Sequence, residues 1–161
     1  MKRYLELSSV PQEFARRKRS AQQLYEQGEA AFTAGHYKKA HTAYSTSTVW
    51  VPSYRTMVKA GDALFYRYAF STESEGTDGG KTSCSTYFVR DAELQIPQTY
   101  DAALKFLAFE TAQTGLRVSD VELAQVRHKS ECLKALASAH QAPPETCVDR
   151  TRIKECLVQP D

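Results

Sequence analysis

Residues 76–84 read GTDGGKTSC, and glycines running into Lys-Thr are how a phosphate-cradling loop ends. Such a loop needs G-x-x-x-x-G-K-[ST] between a strand and a helix. Gly76 and Gly80 enclose three residues, not four. The preceding segment has helical periodicity, and Cys-Ser-Thr-Tyr-Phe after it is not a helix start. Spacing and flanks therefore argue against a nucleotide site. The stretch reads as a loop, and long loops in compact domains are places for partner contact.

The other chemistry-bearing types are sparse. His36, His41, His128 and His140 are the histidines, and no H-E-x-x-H occurs. His36 reads as a turn residue and His41 as a helix residue beside Lys38 and Lys39. His128 lies on an apolar stripe and reads as a core or seam histidine. No catalytic residue, metal ligand, cofactor or small-molecule substrate is expected. The cysteines are Cys84, Cys132, Cys147 and Cys156, with no C-x-x-C for zinc or redox work. Cys147 and Cys156 on one straight helix would be about 13.5 Å apart and on opposite faces. Free thiols in a reducing compartment, the cytosol or an organelle matrix, are expected. The alternative is one disulfide joining Cys132 to a C-terminal cysteine. Arg16-Arg17-Lys18-Arg19 is the densest charge cluster. It reads as a solvated basic edge or as a patch for an acidic protein surface. It lies at an expected helix start, where the dipole disfavours cations, so something else must compensate.

The formal net charge of +2 over 161 residues gives no whole-molecule case for nucleic acid. The length suits one domain with its own core. Glu6, Ser8, Ser9, Gln12 and Glu13 break up the N-terminal stretch, which argues against a secretory signal and a transit peptide. No run approaches the ~20 apolar residues of a membrane span.

Six helices must position these residues. The first runs from about Arg16 to Ala34, with Leu24, Gly28, Ala31 and Phe32 on its apolar side, and Gly35 ends it. The second spans Tyr37 to Trp50 and stops before Pro52. The third spans Ser53 to Phe70, with Met57, Ala60, Gly61, Leu64 and Phe65 inward. Residues 71–98 read as an insertion, in which TYFVR has the look of a short extended piece. The fourth helix begins near Thr99, after Pro97, and Gly115 closes it; Ala103, Leu104, Leu107 and Ala108 are its core candidates. Ser119-Asp-Val-Glu122 spells a capping box for the fifth. Its apolar stripe reads Val121, Ala124, His128, Cys132, Ala135 and Ala139. Pro143-Pro144 precedes the last helix, with Cys147, Ile153 and Leu157. No segment alternates at period two, so the chain reads as all-α.

Residues 21–54 resemble a tetratricopeptide repeat (TPR). Leu24 stands at the first large position, Gly28 at the glycine, Ala40 at the alanine, Tyr44 at the aromatic and Pro52 at the proline. Gly35-His-Tyr37 matches the usual turn. Gln27 and Ala31 depart from the pattern. The resemblance implies that Gly28 and Ala40 let two helices approach and that Tyr44 fills the seam to the next repeat. Residues 55–115 form a degenerate second unit: Met57, Gly61 and Leu64 fit its first helix, and Tyr100-Asp-Ala-Ala103, then Leu107, fit its second. Residues 118–157 read as terminal helices, with Gln125 and His128 in the small and aromatic slots and a capping helix last. About three hairpins result, with residues 1–15 as an N-terminal arm and 16–161 as the helical domain.

The family likeness implies a protein-binding adaptor or scaffold whose concave side is lined by first helices. Tyr25, Glu29, Arg55, Lys59 and Asp62 are the candidate contacts. The Lys/Asn/Arg clamp of chaperone-tail binders is not reproduced, so such tails are not expected. The second reading is a fixed accessory subunit of a large complex. In size and helical class alone, the chain is similar to a small helical-repeat subunit on the F1 head of euglenozoan mitochondrial ATP synthases. An enzyme is the remote third reading.

Overall fold

The computed structural model describes residues 11–70, 86–139 and 150–157. These form six helices and, among the described residues, no strand: α1 (Pro11–Thr33), α2 (Tyr37–Trp50), α3 (Tyr54–Phe70), α4 (Thr86–Thr114), α5 (Asp120–Ala139) and α6 (Arg150–Glu155). The first five pack in chain order, each on the one before it. The all-α expectation holds in that form. GTDGGKTSC lies outside the described residues, as do Cys84, Cys147 and His140.

Local chemistry explains where the helices stop. Gly35 takes φ 77°, a left-handed conformation that favours glycine. The His36 and Gly35 amides then donate back to the Ala31 and Phe32 carbonyls, closing α1 in a Schellman motif. Gly115 at φ 69° closes α4 with a single bond from its amide to the Thr111 carbonyl. Ser119 Oγ accepts the Glu122 amide at 3.2 Å, the expected half of a capping box. At α3 Ser53 Oγ accepts the Thr56 amide at 3.5 Å, and Glu110 of α4 adds a long-range cap by accepting the Tyr54 amide at 2.6 Å.

Three expectations are corrected. α1 is already helical at Pro11, five residues before Arg16. α4 is already helical at Thr86, so TYFVR is helical and residues 86–98 are not loop; Pro97 lies inside the helix. An interior proline costs about 3 kcal/mol of helix stability. Here Ile96, Pro97 and Tyr100 are all buried, so packing outweighs it. On α5 the buried stripe is Val126, Ser130 and Leu133, flanked by Cys132 and Leu136. Val121 is 64 % exposed, and Ala124 and Ala135 face solvent. The expected stripe failed because Ser130 is polar yet buried: Asp101 of α4 accepts its hydroxyl at 2.9 Å.

Two clusters make the core. The smaller joins Ala40, Tyr44, Ala60 and Ala63 across α2 and α3, with Tyr25, Ala31, Phe32 and Met57 against it. The larger joins Tyr54, Leu64, Phe65 and Tyr68 of α3 to Ile96 and Tyr100 of α4, Val126 and Leu133 of α5, and Ile153 and Cys156 at the C-terminal end.

Candidate functional site

The expected contact residues converge on one recurring arrangement. Gly28 lies under the ring of Tyr44 so closely that a Cβ there would come within 2.5 Å of it. Tyr44 then reaches over α1 and donates its hydroxyl to Glu29 at 2.6 Å. Lys59, arriving from α3, pairs with the same carboxylate at 3.1 Å. One unit later the pattern returns. A Cβ on Gly61 would stand 2.7 Å from the Tyr100 ring. Tyr100 donates to Asp62 at 2.7 Å, and Lys129 of α5 pairs with Asp62 at 2.7 Å. Glycine removes the side chain, tyrosine closes the gap, and its hydroxyl and a lysine share one carboxylate.

The electrostatics reflect this geometry. Burial opposes ionisation of Glu29, but hydrogen bonds from Tyr44 and Lys59 and the Lys59 charge outweigh it, and the carboxyl is held below its ordinary value. Burial first, and then the Glu29 carboxylate, push the Tyr44 hydroxyl up. Burial and Asp62 do the same to Tyr100. Burial and neighbouring Glu122 push Tyr54 up to about 12. The Tyr54 hydroxyl is buried without a hydrogen-bond partner among the described residues. Asp101 repeats the Glu29 balance: burial raises it, and hydrogen bonds from Lys134 and Ser130 bring it below its ordinary value.

Glu29 and Lys59 are thus joined to each other, and Asp62 to Tyr100 and Lys129. Glu29 and Lys59 still keep about two-fifths of their side-chain surface exposed, so they line the α1–α3 crease as well as tying it. Tyr25 packs its ring 5.7 Å from that of Tyr44. Arg55 stands exposed at the start of α3. In the basic cluster, Arg16 and Arg17 both pair with Glu13, at 3.0 and 3.3 Å. Arg17 also lies 5.8 Å from the Trp50 ring and Lys18 lies 5.2 Å from the Phe14 ring. The compensation that the cluster needed comes from these contacts and from a helix that starts earlier.

The histidines separate. His36 is exposed in the α1–α2 turn, and His41 hydrogen-bonds through Nδ1 to the Ala60 carbonyl at 3.1 Å. Burial pushes His41 below its ordinary value. His128 is half-buried, with a buried Nε2 that has no partner among the described residues. Among the described residues no group of three or more His, Cys, Asp or Glu could hold a metal ion. No described helix is long and apolar enough to cross a membrane.

The thiol expectation is corrected. Cys132 and Cys156 form a disulfide, with 5.6 Å between their Cα atoms. The C-terminal segment folds back far enough to bring Cys156 opposite α5, within bridging range. Such a bond persists under oxidising conditions, which argues against the reducing compartment expected from the sequence.

Sequence reading fitted Tyr100 to the second helix of the degenerate unit without its contact to Gly61 and Asp62, and missed Lys129. Local signals put Tyr100 near a helix start, whereas α4 places it mid-helix over Gly61. The signal was present in the paired Gly28-Glu29 and Gly61-Asp62, each of which needs a tyrosine from the next helix. An aromatic track was also missed: Phe32, Tyr37, Tyr66 and Phe70 succeed one another across α1, α2 and α3, with centroids 5.4, 5.7 and 5.2 Å apart. No family model matches the chain, no curated protein is significantly similar to it, and no solved structure resembles it at a significant level.

Proposed function

We propose that the chain is a non-catalytic protein-binding module, an adaptor or scaffold of the TPR type. One observation carries this reading. The glycine, tyrosine, carboxylate and lysine contact between α1, α2 and α3 recurs between α3, α4 and α5. A contact that repeats with the helices is what a stacked-hairpin solenoid requires, because each unit must meet the next in the same way. Stacked units present their first helices, α1, α3 and α5, along a common face. Tyr25, Glu29, Arg55, Lys59 and Asp62 belong to those helices, and a peptide or helix of a partner protein would lie across them.

Arg55 tests the reading, since it is exposed and its replacement leaves the inter-helix ties intact. The full chain and its Arg55→Glu variant are each used to capture partners under native conditions, with cross-linking mass spectrometry on the product. Loss of a partner that cross-links to α1 and α3 in the parent chain supports the reading. Capture that is unchanged by Arg55→Glu, with cross-links confined to α2 and α4, overturns it. A stoichiometric set of subunits that co-purifies through high salt would instead assign the chain to a larger complex as a fixed subunit.

A further inference from the structure

α6 breaks the packing order of the other helices. Its main packing partners are α3 and α5. α4 also packs on both of those. α6 thus follows α5 in the chain but packs on α3 as well. It packs on two first helices.

Among the described residues α6 covers Arg150–Glu155. Tertiary contacts hold it. Ile153 and Cys156 are buried in the larger core cluster, and Leu157 packs against that cluster. Lys154 Nζ stands 4.8 Å from the ring centroid of Phe70, at the end of the aromatic track. Cys156 is bonded to Cys132 of α5.

The place of Cys132 is informative. Lys59, Gly61 and Asp62 on α3 have the same spacing as Lys129, Glu131 and Cys132 on α5. Lys129 does for Asp62 what Lys59 does for Glu29. Cys132 thus occupies on α5 the position that Glu29 and Asp62 occupy on α1 and α3, which puts Glu131, not the expected Gln125, in the small slot. There a carboxylate ties the first helix to the next two helices through hydrogen bonds. On α5 the tie is covalent, and a thiol can open it.

We propose that α6 is a built-in ligand for the α3–α5 face, latched by Cys132–Cys156, and that opening the disulfide frees that face for an amphipathic helix of a protein partner. The inference rests on the protein-binding reading above and adds its regulation. The occupant in place states the chemistry of its replacement. It has a branched aliphatic residue where Ile153 sits, another four residues on where Leu157 sits, and a cation between them where Lys154 meets Phe70. The reductant is a dithiol. One of its thiolates attacks a sulfur of the pair, the S–S bond breaks, and the other cysteine leaves as a thiolate. The second thiol of the reductant resolves the mixed disulfide. Two cysteine thiols form, the reductant departs as its own disulfide, and two electrons and two protons have moved. For a loop of 24 residues, the lost tether weakens closure by about two orders of magnitude.

The test uses the full chain and, as probe, a labelled synthetic peptide of residues 148–161 with serine at position 156. The Cys156→Ser chain should bind the peptide at least about tenfold more tightly than the oxidised parent chain. Equal affinity for both overturns the proposal. Hydrogen exchange on the parent chain, with and without a dithiol, gives a second readout that needs no variant. The amides of residues 150–157 should exchange at least about tenfold faster on reduction, while α1 to α4 stay unchanged. Acceleration spread evenly over α1 to α5, or none at α6, overturns the latch. Because the probe is the chain's own segment, failure here leaves the Arg55 test of the protein-binding reading standing.

Discussion

At the scale of single residues, the two glycines under tyrosine rings are the most sensitive positions. Gly28→Ala places a methyl where the Tyr44 ring already is, and the ring is pinned by Glu29. Overpacking of this kind costs about 1–3 kcal/mol, and urea denaturation of the variant should show it as a lowered midpoint. Tyr100→Phe removes the hydroxyl from Asp62 and leaves Lys129 as its remaining tie in the recurring contact. A loss of about 1–2 kcal/mol is expected by the same measurement. Acid should act through His41. Its folded value lies below the ordinary 6.5 because burial disfavours the cation. The unfolded chain then binds the proton more readily, so this contribution is present above about pH 6.5 and is lost as pH falls through the folded value. Unfolding midpoints of the parent chain should drop between about pH 7 and about pH 5 more than those of His41→Gln. Glu29 and Asp101, both held below their ordinary values, act in a separate window at lower pH. At the alkaline end Tyr44, Tyr54 and Tyr100 are all raised, so their share is present below their ordinary value near 10 and is lost above it.

At the scale of elements, turn and cap chemistry could be read from the chain, because it depends on near neighbours. Gly35, Gly115 and Ser119 end or begin helices where their types demand it. Ser119→Ala should cost about 1 kcal/mol. Glu110→Ala should cost a similar amount, although Glu110 lies far along the chain from the Tyr54 amide that it caps. Thermal melts of both variants measure this, and an unchanged Glu110→Ala would remove the long-range cap from the account. The start of α4 and the buried stripe of α5 were not legible. Local propensity puts a boundary at Pro97, and only the burial of Ile96, Pro97 and Tyr100 against other helices carries the helix through it. On α5, small apolar residues suggested one stripe, but a serine satisfied by Asp101 is buried on another.

At the scale of the whole molecule, the helices form a chain-ordered stack in which each of the first five packs on the one before it. Such a stack transmits damage to neighbours more than to its far end. Hydrogen exchange on Gly28→Ala should therefore quicken in α1 and α2 at least about tenfold more than in α5. Uniform quickening would mean that the stack opens as one unit. The sequence by itself determined the helical class, most of the helix ends and the glycine-alanine-tyrosine pattern of residues 21–54, because these depend on periodicity and local backbone chemistry. Only the tertiary structure decided which tyrosine meets Gly61, which face of α5 is buried, and that Cys156 returns to Cys132. Those outcomes depend on groups brought together from distant parts of the chain, and burial energy, not local preference, selects them.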